Sequence, residues 1–136
     1  MSPPFEQTNH VKIDDKNVLT ELTGSDYIRT YQTDPVLAHQ YNGRGYAYHE
    51  TKQYDLAIAD YSRTIELNPR DPYAYSGRGH AYNETKQFEL AIPDFGKAIE
   101  LSPEYAYAYN GRGYAYHETK QYDLAIADYS RTIELN

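Results

Sequence analysis

The stretch YNGRGYAYHETKQYDLAIADYSRTIELN, from Tyr41 to Asn68, returns letter for letter as Tyr109 to Asn136. The shift is 109 − 41 = 68, and a diverged third copy, Tyr75 to Ser102, lies halfway between the two. Glycine pairs keep the same step: Gly43-Arg44-Gly45, Gly77-Arg78-Gly79 and Gly111-Arg112-Gly113 are 34 apart, as are Pro35, Pro69 and Pro103. The chain length, 136, is itself four such periods. A period in this range marks stacked supersecondary units, none of which buries its apolar face alone.

Each unit reads as two helices. Tyr41, Gly45 and Tyr48 fall at i, i+4 and i+7, on one helical face. Ala57, Ile58, Tyr61, Ile65 and the nearby Leu67 do the same in the second half, and Glu50-Thr51-Lys52-Gln53 between them holds no apolar residue. Asn68-Pro69-Arg70-Asp71-Pro72 closes the unit, because Pro69 cannot continue the hydrogen-bond ladder. Asp71-Pro72 then suits the next helix as cap and first-turn residue. Pro93 and Gly96 predict a slight kink near the start of the middle unit's second helix. The expected fold is all-α, an array of antiparallel helical hairpins.

These residues resemble the tetratricopeptide repeat, with its signature W-x2-L-G-x2-Y, A-x3-F and P. The middle unit offers Tyr75 in place of Trp, then Gly79, Tyr82, Ala91, Phe95 and Pro103. Tyr41, Gly45, Tyr48, Ala57, Tyr61 and Pro69 match in the first unit, and Tyr109, Gly113, Tyr116, Ala125 and Tyr129 in the third. The resemblance covers residues 38–136 and implies a right-handed solenoid of helical hairpins. Two departures need a physical account. Arg44, Arg78 and Arg112 stand in the Leu slot, and Lys52, Lys86 and Lys120 replace the Gly between helices. An inward charge is costly unless paired. Asp60, Asp94 and Asp128, each 16 residues on, are the expected partners across the hairpin. Each Lys must then adopt a turn conformation that Gly takes more cheaply.

The expected layout is an extended or mobile tail over 1–14 and a degenerate helical segment over 15–37. Repeats follow at 38–71 and 72–105, with a third, uncapped, at 106–136. Asp26-Tyr27-Ile28-Arg29-Thr30 lies one period before Asp60-Tyr61-Ser62-Arg63-Thr64 and marks the eroded unit's second helix.

Seventeen tyrosines, no Trp and three Phe demand placement. Tyr41, Tyr75, Tyr109, Tyr48, Tyr82 and Tyr116 are assigned to first-helix core slots, and Tyr27, Tyr61 and Tyr129 to the second-helix aromatic slot. Tyr54 and Tyr122 begin second helices. Ala57, Ala91 and Ala125 are expected to face Gly45, Gly79 and Gly113. Tyr46, Tyr73, Tyr107 and Tyr114 project from the first helices away from the core, whereas Tyr31 and Tyr105 lie near helix ends with no assigned role. In the family that first-helix face lines a concave groove for extended peptides. Here it adds Asn42, Ser76, Asn110, His80, His49, Asn83 and His117, with Glu50, Glu84 and Glu118 at its edge. Asn amides hold peptide backbone, and Tyr offers rigid apolar area at small entropy cost. The expected ligand is an extended segment with Pro or small apolar residues, bearing Lys for the Glu rim. The family's carboxylate clamp for acidic chaperone tails uses Lys, Arg and Asn. The three arginines here are assigned inward, which argues against such a clamp.

Other chemistry finds no support. Thirteen Lys and Arg against twenty Asp and Glu leave a net charge of −7, which opposes nucleic-acid binding. The absence of Cys removes disulfides, thiolate metal sites and cysteine nucleophiles. His49-Glu50 and His117-Glu118 begin like H-E-x-x-H, but Gln53 and Gln121 stand where the second His belongs. No enzyme activity, cofactor or metal is expected. No stretch is apolar enough to span a membrane, and Met1-Ser2-Pro3-Pro4-Phe5 lacks signal-peptide character, so a cytoplasmic protein is expected. The leading expectation is a scaffold or adaptor for a protein or peptide ligand. Its alternatives are a self-associating array, stacking through Ile126, Ile133 and Leu135 of an uncapped last repeat, and a regulatory repeat region of a larger protein.

Overall fold

The computed structural model describes residues 34–136, which form six α-helices and, among these residues, no strand. They are α1 (Pro35–Glu50), α2 (Tyr54–Leu67), α3 (Pro72–Glu84), α4 (Phe88–Leu101), α5 (Ala106–Glu118) and α6 (Tyr122–Leu135). The tail over 1–14 and most of the eroded unit, with Tyr27 and Tyr31, lie outside the described residues. Helices α1–α2, α3–α4 and α5–α6 pair as hairpins, and α2 packs on α3 as α4 packs on α5. First helices also touch along the array, α1 on α3 and α3 on α5, while second helices do not touch one another. The first helices are therefore the crowded, inner layer.

Helix α1 starts at Pro35, three residues before the boundary expected at Ala38. The reason is local: Asp34 Oδ1 accepts from Val36 N at 3.0 Å and Leu37 N at 3.1 Å, and Pro35 fits the first turn. Asp71 caps α3 in the same way, accepting from Tyr73 N at 2.9 Å. Helix α4 runs through Pro93 and Gly96 without interruption.

Each hairpin turns on the same device. Lys52 has φ 61°, with Lys52 N donating to His49 O at 2.9 Å and Gln53 N to Tyr48 O at 2.8 Å. This pair of bonds, closing the helix on a left-handed residue, is a Schellman motif usually built on Gly. Lys86 and Lys120 repeat it at φ 61° and 63°. The Gln side chain folds back on the turn, Gln53 Nε2 donating to Thr51 Oγ1 at 2.8 Å, which helps to hold a conformation Lys adopts at a cost.

All three expected Arg–Asp pairs form. Arg44 Nη2 and Asp60 Oδ1 lie 2.8 Å apart, Arg78 Nε and Asp94 Oδ2 2.7 Å, and Arg112 Nε and Asp128 Oδ2 2.8 Å. Each is bidentate, and each carboxylate is buried. The arginines add a second role to the first-helix tyrosines beside core packing. Tyr41, Tyr48, Tyr75, Tyr82, Tyr109 and Tyr116 are half-buried. Five of these rings flank a guanidinium, at 5.6 and 5.7 Å for Tyr41 and Tyr48 around Arg44, 5.9 Å for Tyr82 beside Arg78, and 5.9 and 5.8 Å for Tyr109 and Tyr116 around Arg112, while Tyr48, Tyr75 and Tyr82 also pack against the buried core.

The buried core is built from Ala57, Ala74, Ala81, Ala91, Ala98, Ala108 and Ala115 around Tyr61, Leu67 and Phe95. Close approach comes from glycine against aromatic, not glycine against alanine. A Cβ on Gly45 would meet Tyr61 Cδ1 at 3.2 Å, and one on Gly79 would meet Phe95 Cζ at 2.9 Å. The same rings reach the next hairpin: a Cβ on Gly77 would lie 2.5 Å from Tyr61 Cζ, and one on Gly111 2.3 Å from Phe95 Cζ. One aromatic per repeat thus needs two glycines, one in its own hairpin and one in the next.

Candidate functional site

The inner faces of α1, α3 and α5 enclose a cavity of about 320 Å³. Asn42, Tyr46 and His49 come from α1, Tyr73 and His80 from α3, and Tyr107 from α5. Gly43 and Gly77 belong to the lining, Tyr61 reaches through from α2 against Gly77, and Glu50 stands at the edge. Further along, His80, Asn83, Asn110 and Tyr114 border a second cavity of about 330 Å³ with Glu84, Gly111 and Tyr129. Tyr46 at 61% exposure, Tyr73 at 60% and Tyr107 at 53% stand out as large apolar surfaces presented to solvent.

His80 is the hub between the two cavities. Its ring stacks on Tyr107 at 3.9 Å and meets Phe95 edge-on at 4.7 Å. Burial pushes its imidazole down to about 4, so it is neutral at physiological pH and offers one donor and one acceptor. Its Nε2, and Asn42 Oδ1 across the first cavity, are buried without a partner among the described residues. Such atoms are costly to leave unpaired.

Of the expected groove residues, Ser76 and His117 line neither cavity, and Asn83 lines the second one while largely buried. Ser76 is fully buried, so its hydroxyl presents nothing to the surface. Asn83 is 6% exposed because its Nδ2 donates to Gly111 O at 3.0 Å, binding α3 to α5. His117 is exposed, but it lines neither cavity and stands edge-on to Tyr122 at 5.5 Å. Tyr105, left without a role in the sequence, belongs to the first cavity: its ring meets Tyr73 edge-on at 5.2 Å and Tyr107 at 6.1 Å. A signal for it existed. Position 105 is one period after the cap Asp71, and a Tyr there donates no cap, leaving the ring free to fold onto α3.

Neither cavity includes a Lys or Arg, and the three first-helix arginines are held by aspartates. Among the described residues no three His, Asp or Glu gather as metal ligands, and no helix is long and apolar enough to cross a membrane.

Comparison with known proteins places this geometry. No curated protein sequence matches the chain. The first TPR of Spaghetti (RPAP3), solved bound to the HSP90 peptide SRMEEVD, is 30% identical with a TM-score of 0.75, over 77% of this chain and 83% of that one. The first TPR domain of human RPAP3 is 31% identical with a TM-score of 0.73, over 75% and 80%. The TPR2AB domain of yeast Sti1, in its pHSP90 complex, is 25% identical with a TM-score of 0.76, over 81% and 43%. The TPR repeat family matches residues 45–85 and 79–120, and the tetratricopeptide repeat family residues 106–136. The chain belongs to the tetratricopeptide repeat family.

Proposed function

We propose that this chain is a protein-interaction scaffold whose inner groove holds an extended peptide. Its family is one of interaction scaffolds rather than enzymes, and similar domains have been solved with HSP90 peptides. The observation that carries the reading is the aromatic cavity between α1, α3 and α5, with the Asn42 amide and the His80 imidazole among its lining residues. An extended strand presents small side chains between rings and backbone groups beside polar side chains, which suits such a lining. Tyr46, Tyr73, Tyr105 and Tyr107 supply the apolar surface, and Tyr114 with Asn110 continues it along the groove.

The charge pattern narrows the ligand. An acidic tail such as SRMEEVD needs cations at its carboxylates, and the lining here offers Glu50 and Glu84 instead. The fitting ligand is neutral or basic, carries Pro or small apolar residues, and places Lys near the glutamates. A panel of neutral, basic and acidic peptides, measured by fluorescence anisotropy, tests this. Basic, proline-containing peptides should bind, and replacing Tyr73, Tyr107 and Tyr114 together by Ala should abolish that binding while circular dichroism stays unchanged. Tight, salt-sensitive binding of SRMEEVD, or binding by the triple variant equal to wild type, would overturn the reading.

A further inference from the structure

Five tyrosines, Tyr46, Tyr61, Tyr73, Tyr105 and Tyr107, line the first inner cavity, and they arrive from α1, α2, α3 and the start of α5. Tyr73 and Tyr105 meet at 76° with centroids 5.2 Å apart, and Tyr105 and Tyr107 at 40° and 6.1 Å. Neither pair is stacked. Tyr107 stacks instead on His80 at 3.9 Å, which fixes its ring. Ring planes turned against one another in this way form the walls of a corner. A parallel pair would grip a flat group, whereas a corner suits a rounded one. The second cavity has only Tyr114 and Tyr129 among Asn83, Asn110 and Glu84, so of the two the first alone is built this way.

The electrostatic sign of this corner is negative. Among the described residues its lining contains no Lys or Arg, burial keeps His80 neutral by pushing it down to about 4, and Glu50 stands at the edge. Each tyrosine adds the negative potential of its ring face. Burial above all, then the neighbouring phenols and Glu50, push the Tyr61 phenol above its usual range. Burial, then Tyr46, Glu50 and Glu84, do the same to Tyr107. The share that comes from the glutamates has the sign that favours a cation.

The chain shows elsewhere what a cation rich in N–H groups requires. The Arg44 guanidinium lies 5.6 and 5.7 Å from the rings of Tyr41 and Tyr48, but its Nε and Nη2 also donate to the buried Asp60. The first cavity has no such buried carboxylate, because Glu50, the one acid in its lining, is exposed. A guanidinium or plain ammonium entering it would leave N–H groups short of acceptors. A methylated ammonium keeps its charge, carries few or no N–H groups, and offers methyl surfaces to the rings.

We infer that the first cavity is an aromatic cage for the methylated ammonium of a lysine side chain on the extended peptide, with Tyr73, Tyr105 and Tyr107 as walls and Glu50 at its mouth. The inference rests on the groove reading above and names the group that the groove selects.

The test is a matched series read by fluorescence anisotropy. One proline-containing peptide carries a central Lys that is unmodified, mono-, di- or trimethylated, or an uncharged analogue with carbon in place of the trimethylated nitrogen. The trimethylated peptide should bind about tenfold more tightly than the unmodified one, and the uncharged analogue should lose most of that gain. Tyr73→Leu, at an exposed position, should erase the preference while Tyr73→Phe keeps it, which separates loss of a ring from loss of the fold. Glu50→Gln should weaken the charged peptides and leave the uncharged analogue unchanged. Equal affinity along the methylation series would overturn the inference and leave the groove reading standing, whereas failure of every peptide to bind would overturn both. An uncharged analogue as tight as the trimethylated peptide would overturn it by making the cavity an apolar pocket. Free choline binding as tightly as that peptide would overturn it by assigning the cage to a small molecule.

Discussion

The glycine-against-aromatic junction predicts opposite effects for one substitution at two equivalent positions. Alanine replacing glycine inside a helix gains about 1 kcal/mol in propensity wherever it is made. Gly43 and Gly111 occupy the same position of α1 and α5, so that gain is common to both and the difference reports packing. At Gly43 the new methyl meets no described atom; at Gly111 it would lie 2.3 Å from Phe95 Cζ and 2.8 Å from His80 Cε1. Phe95 is fully buried and edge-on to His80, so it has nowhere to retreat. Overpacking of this kind costs up to about 3 kcal/mol. Gly43→Ala should therefore stabilise by about 1 kcal/mol, and Gly111→Ala destabilise by about 2 kcal/mol net of the same gain. Gly45→Ala, with its nearest ring atoms at 3.2 Å, should fall between them. At roughly 4–8 °C per kcal/mol, the two extremes should melt on the order of 10–20 °C apart. Thermal and urea unfolding followed by circular dichroism measure this. Equal losses at Gly43 and Gly111, or a stabilised Gly111→Ala, would refute the junction as described.

Two more perturbations separate charge from packing. Arg78→Met leaves the buried Asp94 unpaired and should cost about 3 kcal/mol, with most of it recovered by the double change Arg78→Met and Asp94→Leu. Arg44→Met, at a far more exposed arginine, should cost clearly less, so equal urea midpoints for the two single variants would count against the burial argument. His80 supplies an acid limb. Its imidazole titrates near 4 when folded against 6.5 unfolded, so between those values the unfolded chain binds a proton that the folded chain excludes. Stability is fully present above pH 6.5 and falls as pH drops toward 4, by up to about 3 kcal/mol. His80→Tyr, which copies Tyr46 and Tyr114, should flatten that limb in unfolding experiments at pH 7, 5.5 and 4.

The hairpins and the Arg–Asp pairs were legible because each depends on residues at fixed offsets within one repeat. A charge placed inward needs an opposite charge, and Asp60 and its copies recur 16 residues on, beside the aromatic slot of the facing helix. The Lys turns were legible for the same reason. What failed was whatever depends on neighbouring repeats. Ser76 and Asn83 read as groove residues by their helical face, but α5 lies over that part of α3, and Asn83 is engaged with Gly111 O. The second role of the tyrosines beside the arginines was missed because the family's slots are core; an Arg between them turns that space into a half-buried polar slot. Tyr105 was missed because its signal, the loss of a cap one period after Asp71, is a missing residue rather than a motif. Whether Tyr61 and Tyr129 are buried could not be read from them at all, since their repeats are identical and only the next helix decides.

That identity raises the question of how the chain keeps its repeats in order. Helices α2 and α6 have the same sequence, so α3 could in principle be seated by either, and a slipped or exchanged arrangement would lose little. The middle repeat differs at the points where the second junction is made. Phe95 takes the Tyr slot, and His80 and Asn83 stand where the outer repeats have Tyr and His. Phe95 carries no hydroxyl and sits in a dry site closed by His80, which in turn stacks on Tyr107. Asn83 reaches Gly111 O across the same junction, whereas the outer repeats place His49 or His117 there. Seating α5 on α2 rather than α4 would forfeit the His80–Tyr107 stack, the fit of Phe95 against Gly111 and the Asn83–Gly111 bond, so these substitutions favour the order in which the repeats are strung. The same His80 borders both inner cavities. The residues that keep three similar hairpins in order thereby make the two halves of the groove chemically different, which would give the peptide proposed to lie there a direction as well as a place.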